Sequence, residues 1–123
     1  EFSRITISMM GDEYSKTQII KQLDKLHDVK QVEVMERDET VTRELLLIKI
    51  KNDSATRQDV LSAVDVFRSK IIDYSPDALC VEITGESSKI NAFIELVKPY
   101  GIMEMCRTGL VALERGGNCL GCD

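Results

Sequence analysis

The apolar positions along this chain change period several times, and each change marks an element. Ile5, Ile7 and Met9 alternate with Thr6, Ser8 and Met10, which predicts a strand over residues 3–10. Gly11-Asp12 turns the chain, and Ser15 is placed to cap a helix carrying Ile19, Leu23 and Leu26 on one face until His27-Asp28 ends it. Val32 and Val34 then alternate with Gln31 and Glu33, a second strand over residues 29–35. The charged stretch 36–40 reads as a linker.

Beyond it the pattern is fuller. Residues 45–50 form an almost unbroken apolar run, as expected of a central strand covered on both faces. Asn52-Asp53-Ser54 offers capping side chains, and Val60, Leu61, Val64 and Phe67 mark a helix reaching about Lys70. A short strand follows at 71–74, then the Ser75-Pro76-Asp77 turn, then a strand in which Leu79, Val81 and Ile83 alternate with Cys80, Glu82 and Thr84. Ile90, Phe93, Ile94 and Val97 recur at helical spacing, and Pro99 with Gly101 stops that helix before a last strand over 102–113.

The order over residues 41–116 is β-α-β-β-α-β. Two right-handed split βαβ units give an α+β, ferredoxin-like sheet with both helices on one face. Residues 1–40 hold only strand-helix-strand, which reads as half of a second such unit, its two strands separated by a third that the segment does not contain. A partner chain, or direct pairing of those two strands, would close the gap. The opening without Met reads as a fragment or processed form, and residues 117–123 form a Gly/Cys tail.

Composition narrows the function without naming it. The 123 residues suit one domain, or a small domain plus a fragment, and 43% apolar with 30% charged residues is ordinary globular usage. A net charge of −5, with both signs interspersed, argues against nucleic acid and anionic membrane surfaces. No run is long enough to span a membrane and no signal peptide is visible, which with the acidic composition points to a reducing cytoplasm.

No catalytic constellation emerges. Arg115-Gly-Gly-Asn follows the last strand instead of opening a helix, so it fails as a phosphate loop. The single His, His27, sits at a helix end, where a cation is favoured by the dipole. Glu82, Glu95 and Glu104 lie on polar faces, and Met103 and Met105 read as core or interface packing. Cys119 and Cys122 form a C-x-x-C pair, two ligands where a structural zinc needs four, so a metal role is a weak reading beside that of an unstructured end. Arg107 is unusual in mid-strand: it either guards an edge against aggregation or reaches a carboxylate or a neighbouring chain.

Six stretches taken in order do suggest a family: Ser3-Arg-Ile-Thr-Ile7, Arg43-Glu-Leu-Leu-Leu-Ile-Lys49, Asp65-Val-Phe-Arg68, Ile72-Asp-Tyr-Ser-Pro-Asp77, Glu82-Ile-Thr-Gly85 and Pro99-Tyr-Gly-Ile-Met-Glu-Met-Cys-Arg-Thr-Gly109. Together they resemble the small, regulatory subunit of acetohydroxyacid synthase (acetolactate synthase) across residues 3 to about 116. The resemblance implies an N-terminal ACT domain, here only its second half, before a C-terminal ferredoxin-like domain. It implies a non-catalytic, cytoplasmic partner of a large subunit that uses thiamine diphosphate, Mg²⁺ and often FAD. That partner would be activated, and would receive feedback from valine or another branched-chain amino acid. The family's effector loop would lie upstream of Glu1, so no effector-binding residue is assigned, and the Gly/Cys tail has no counterpart in the family pattern. A homodimer is expected, with Arg107, Cys80, Glu82 and Glu104 as candidate contacts to another chain. The alternative is a free-standing ferredoxin-like domain binding a small ligand, or a soft metal at Cys119 and Cys122.

Overall fold

The structure, a computed structural model, describes residues 2–121. The chain divides into two compact units: one runs to Val41 and resumes at Ala112, and the other is Thr42–Val111. Its elements are helix α1 (Glu13–Asp24), strand β1 (Thr40–Lys51), helix α2 (Arg57–Val66), strands β2 (Lys70–Tyr74) and β3 (Ala78–Gly85), helix α3 (Ser87–Val97) and strand β4 (Ile102–Glu114).

The unit Thr42–Val111 is built on a four-stranded antiparallel sheet in the order β2-β3-β1-β4. Two βαβ crossovers interleave to give that order, so the topology is ferredoxin-like. Alternation in β1 and β3 sends Leu46, Ile48, Ile50, Leu79, Val81 and Ile83 to one face, where they are buried against Val60, Ala63 and Val64 of α2 and Ile90, Phe93, Ile94 and Val97 of α3. Phe67 meets Phe93 edge-on with ring centroids 5.3 Å apart, and Ile71, Tyr100 and Ile102 pack around the margin.

Local chemistry explains where these helices end. Arg68 takes φ of 52°, and α2 stops at Val66, short of the expected Lys70; Ala63, not Leu61, joins its buried stripe. Pro99 enters a single 3-10 turn after α3, and Gly101 adopts φ of 98°, a conformation open to glycine. A Cβ on Gly101 would also lie 3.3 Å from Lys51 Cβ, while its carbonyl accepts from Lys51 N at 2.8 Å. This close approach holds the start of β4 beside the end of β1.

The expectation that β1 is covered on both faces is corrected. Its odd positions, from Arg43 to Lys51, are half-buried or exposed, because both helices of this unit lie on the other side. Within the described residues the sheet therefore has one covered face and one open face.

The other unit differs more from the sequence expectation. Asp12, not Ser15, caps α1: its Oδ1 accepts from Ser15 N at 2.8 Å, which holds the Asp12 carboxyl below its usual range. The alternating segments 3–10 and 29–35 are not strands. A strand needs a ladder partner to satisfy its main chain, and alternation alone does not supply one. No residue of α1 is buried, and Ile5, Ile7, Met10 and Leu26 are exposed. Arg4 donates from Nη2 to Ala112 O at 2.9 Å, and Arg115 N donates to Glu39 O at 2.8 Å.

Candidate functional site

The mid-strand arginine has a partner that the sequence expectation did not name. Glu44 lies on the covered face of β1, in step with Leu46, Ile48 and Ile50, and is only 4% exposed. Its register partner on β3 is Gly85, which presents no side chain, and Ser87 at the start of α3 donates to Glu44 Oε2 at 3.1 Å. Arg107 of β4 closes the cluster. Its Nε donates to Glu44 Oε1, its Nη2 to Oε2 at 3.0 Å, and its Nη1 to Asn91 Oδ1 on α3 at 2.8 Å. This is the two-pronged fork that arginine makes and lysine cannot.

Electrostatics follow from the geometry. The hydrogen bonds from Arg107 hold the Glu44 carboxyl below its ordinary range; burial opposes this, and the Ser87 hydroxyl adds to it. The same contact raises the Arg107 guanidinium further above neutrality. Both groups are charged at neutral pH, and one pair ties β1, β4 and the first turns of α3 together. A signal for Glu44 was available: it shares the parity of Leu46, Ile48 and Ile50, so alternation alone places it inside.

The remaining candidates lie on or near the open face. In the β1–β3–β2 register Glu82 stands between Leu47 and Lys70, and Cys80 stands between Lys49 and Asp73. Cys80 and Glu82 are half-buried, Leu47 is exposed, and exposed Glu104 of β4 approaches Lys49 at 3.7 Å. An exposed pair at that distance contributes little. Cys80 and Cys106 are free thiols. The structure thus brings Cys80 and Glu82 onto one face and turns Arg107 onto Glu44 and Asn91.

A shallow cleft lined by Arg43, Thr84, Gly85, Glu86, Ser88 and Lys89 adjoins the start of α3. Both of its cations already donate to main-chain carbonyls, Arg43 to Thr42 O and Lys89 to Thr84 O. His27 lies in the exposed turn after α1. Met103 and Met105 are exposed, so they are not core. Among the described residues no three His, Cys, Asp or Glu side chains gather as a metal site. Cys119 is not free, and Cys122 lies outside the described residues.

The fold and its open sheet face define a ferredoxin-like α+β protein in which the helices leave one sheet surface uncovered. Comparison with known proteins takes the assignment further. The family model described as the small subunit of acetolactate synthase matches residues 43–116. The chain is 44% identical over 119 residues to a probable acetolactate synthase small subunit of Methanothermobacter thermautotrophicus, an alignment covering 96% of this chain and 71% of that one. It is 46% identical over 114 residues to the acetolactate synthase small subunit of Aquifex aeolicus, covering 92% and 59%. The crystal structure of the acetolactate synthase small subunit from Thermotoga maritima superposes with a TM-score of 0.78 at 39% identity, over 89% of this chain and 68% of that one. The chain belongs to the acetolactate synthase small-subunit family.

No helix among the described residues is long and apolar enough to cross a membrane.

Proposed function

We propose that this chain is a non-catalytic, regulatory partner of the catalytic subunit of acetolactate synthase, acting in the cytoplasm. The observation that carries the reading is the 44% identity, over nearly the whole chain, to a relative named as a small subunit. A small subunit implies a large one, and the condensation of two 2-oxo acids would belong to that other chain. Thiamine diphosphate, Mg²⁺ and FAD would be bound there too. This chain would raise the partner's turnover and pass on inhibition by a branched-chain amino acid.

In this reading residues 1–40 are the second half of an ACT-like domain, residues 41–116 are the ferredoxin-like domain, and residues 117–123 are a tail. The uncovered apolar side chains Ile5, Ile7 and Leu26 support the first assignment, because they await packing partners. The open face carrying Cys80 and Glu82, with neighbouring Glu104, is the surface proposed to meet another chain. Arg107 would contribute to it by fixing β4 in place.

Binding tests this. Isothermal titration of the chain into purified catalytic subunit is expected to give saturable heat, weakened by Glu82→Arg. Absence of binding, by a chain that circular dichroism shows to be folded, would contradict the proposal.

A further inference from the structure

We infer that Arg68, in the turn between α2 and β2, is a contact residue for a carboxylate on the catalytic subunit; the inference rests on the regulatory reading above. Among the described residues Arg68 is the one non-glycine with a positive φ, 52°. The turn explains the backbone. Ser69 N donates to Val64 O at 3.0 Å and Arg68 N to Asp65 O at 3.1 Å, the pair of bonds that closes a helix through a left-handed residue. Glycine takes that conformation freely and asparagine tolerates it, whereas a long side chain carries strain there.

No polar contact of the Arg68 side chain serves the fold. The bonds that close the turn are made by the main chain, and Ser69 adds its own hydroxyl to Val64 O at 3.0 Å. Arg68 is exposed and, among the described residues, its guanidinium has no hydrogen bond or ion pair, Asp65 on the preceding turn included. Nothing polar within the chain offsets the strain, and strain of this kind collects where a function uses it.

The surroundings indicate what the guanidinium would meet. β1 and β2 run antiparallel to β3, so the starts of β1 and β2 share one end of the sheet with the end of β3 and the start of α3. The other cations at this end are mostly committed: Arg43 to Thr42 O, Lys89 to Thr84 O, and Arg107 to Glu44. Arg68 and the exposed Lys70 make no ion pair among the described residues, although Lys70 lies in register with Glu82. Val66 beside them is 75% exposed. An apolar side chain next to an unpaired guanidinium suits a protein surface better than a small solvated anion. The planar fork of arginine selects a carboxylate on that surface.

Isothermal titration of the full chain into purified catalytic subunit, with melting temperatures measured alongside, tests this. Arg68→Gly and Arg68→Asn both suit the turn, so each is expected to melt no lower than wild type. Each should nevertheless bind roughly tenfold more weakly, with a flatter dependence on salt. Arg68→Lys should keep part of the affinity, because it retains the charge without the fork. Undiminished binding by both turn-compatible variants overturns the inference and leaves the regulatory reading standing. Weak binding by Arg68→Gly alone overturns it too, since the guanidinium is then dispensable in Arg68→Asn. Lower melting of both variants would make Arg68 a structural residue and likewise overturn it. A folded wild type that does not bind the catalytic subunit overturns this inference and the regulatory reading together.

Discussion

Arg107 and Glu44 are 63 residues apart in the chain and form one forked ion pair, with the carboxylate 4% exposed and the guanidinium side chain 33% exposed. A buried pair is weak evidence of net stabilisation, since both ions lose hydration. Removing one partner is different, because it strands a charge. Arg107→Ala is expected to destabilise the fold by about 2–3 kcal/mol, below the range for a fully buried pair because the guanidinium is partly solvated. Arg107→Lys should recover only part, since an ammonium cannot supply the fork. Urea denaturation of the three proteins measures this, and a loss under about 0.5 kcal/mol would show that water replaces the contact.

The pair also sets an acid limb. The Glu44 carboxyl is held lower in the folded chain than in the unfolded one, so the stability it contributes is complete above about pH 4.3, the ordinary glutamate value. That contribution is lost as pH falls through the lower, folded value. Glu44→Gln should flatten the denaturation midpoint against pH in this acid window. An unchanged acid limb in Glu44→Gln would assign it to other carboxylates.

Much of this fold was legible because the relevant signals are local. Alternation at Leu79, Val81 and Ile83, helical spacing at Ile90, Phe93, Ile94 and Val97, and the Pro99–Gly101 stop all appear where the sequence placed them. The failures were non-local. Residues 3–10 alternate as a strand does, yet form none, because pairing depends on a neighbour that a local pattern cannot specify. The almost unbroken apolar run at residues 45–50 suggested two covered faces, but Leu47 is exposed because both helices of this unit lie on one side. Arg107 was recognisable as unusual, while its partner required knowing that β4 returns beside β1. Of the candidate contacts, the shared face of Cys80 and Glu82 follows from period two, whereas the proximity of Glu104 to Lys49 required the strand order.

The one-sided sheet makes a sharp contrast measurable. Phe93→Ala removes a fully buried ring and its edge contact with Phe67, and should cost about 3–5 kcal/mol. Leu47→Ala, on the open face of the same sheet, should cost less than about 1.5 kcal/mol. Equal losses in thermal denaturation would mean that the open face is covered in solution.

Helix α1 should respond to acid by a different route. Asp12 caps it, and the bond from Ser15 N lowers the carboxyl's pKa. Helicity is therefore fully supported above the ordinary aspartate value and declines as pH falls through the lower, folded one. Asp12→Ala should show reduced helical circular dichroism already at neutral pH, with that acid-dependent loss removed. Identical spectra for the two proteins at neutral pH would indicate that Ser15 or water satisfies the same amides.

The regulatory reading is tested most directly by the rate of acetolactate formation from pyruvate by a purified catalytic subunit, as this chain is titrated in. A saturable rise in rate is expected, with no activity from the chain alone. A rate that stays flat at saturating, folded chain would contradict the regulatory account.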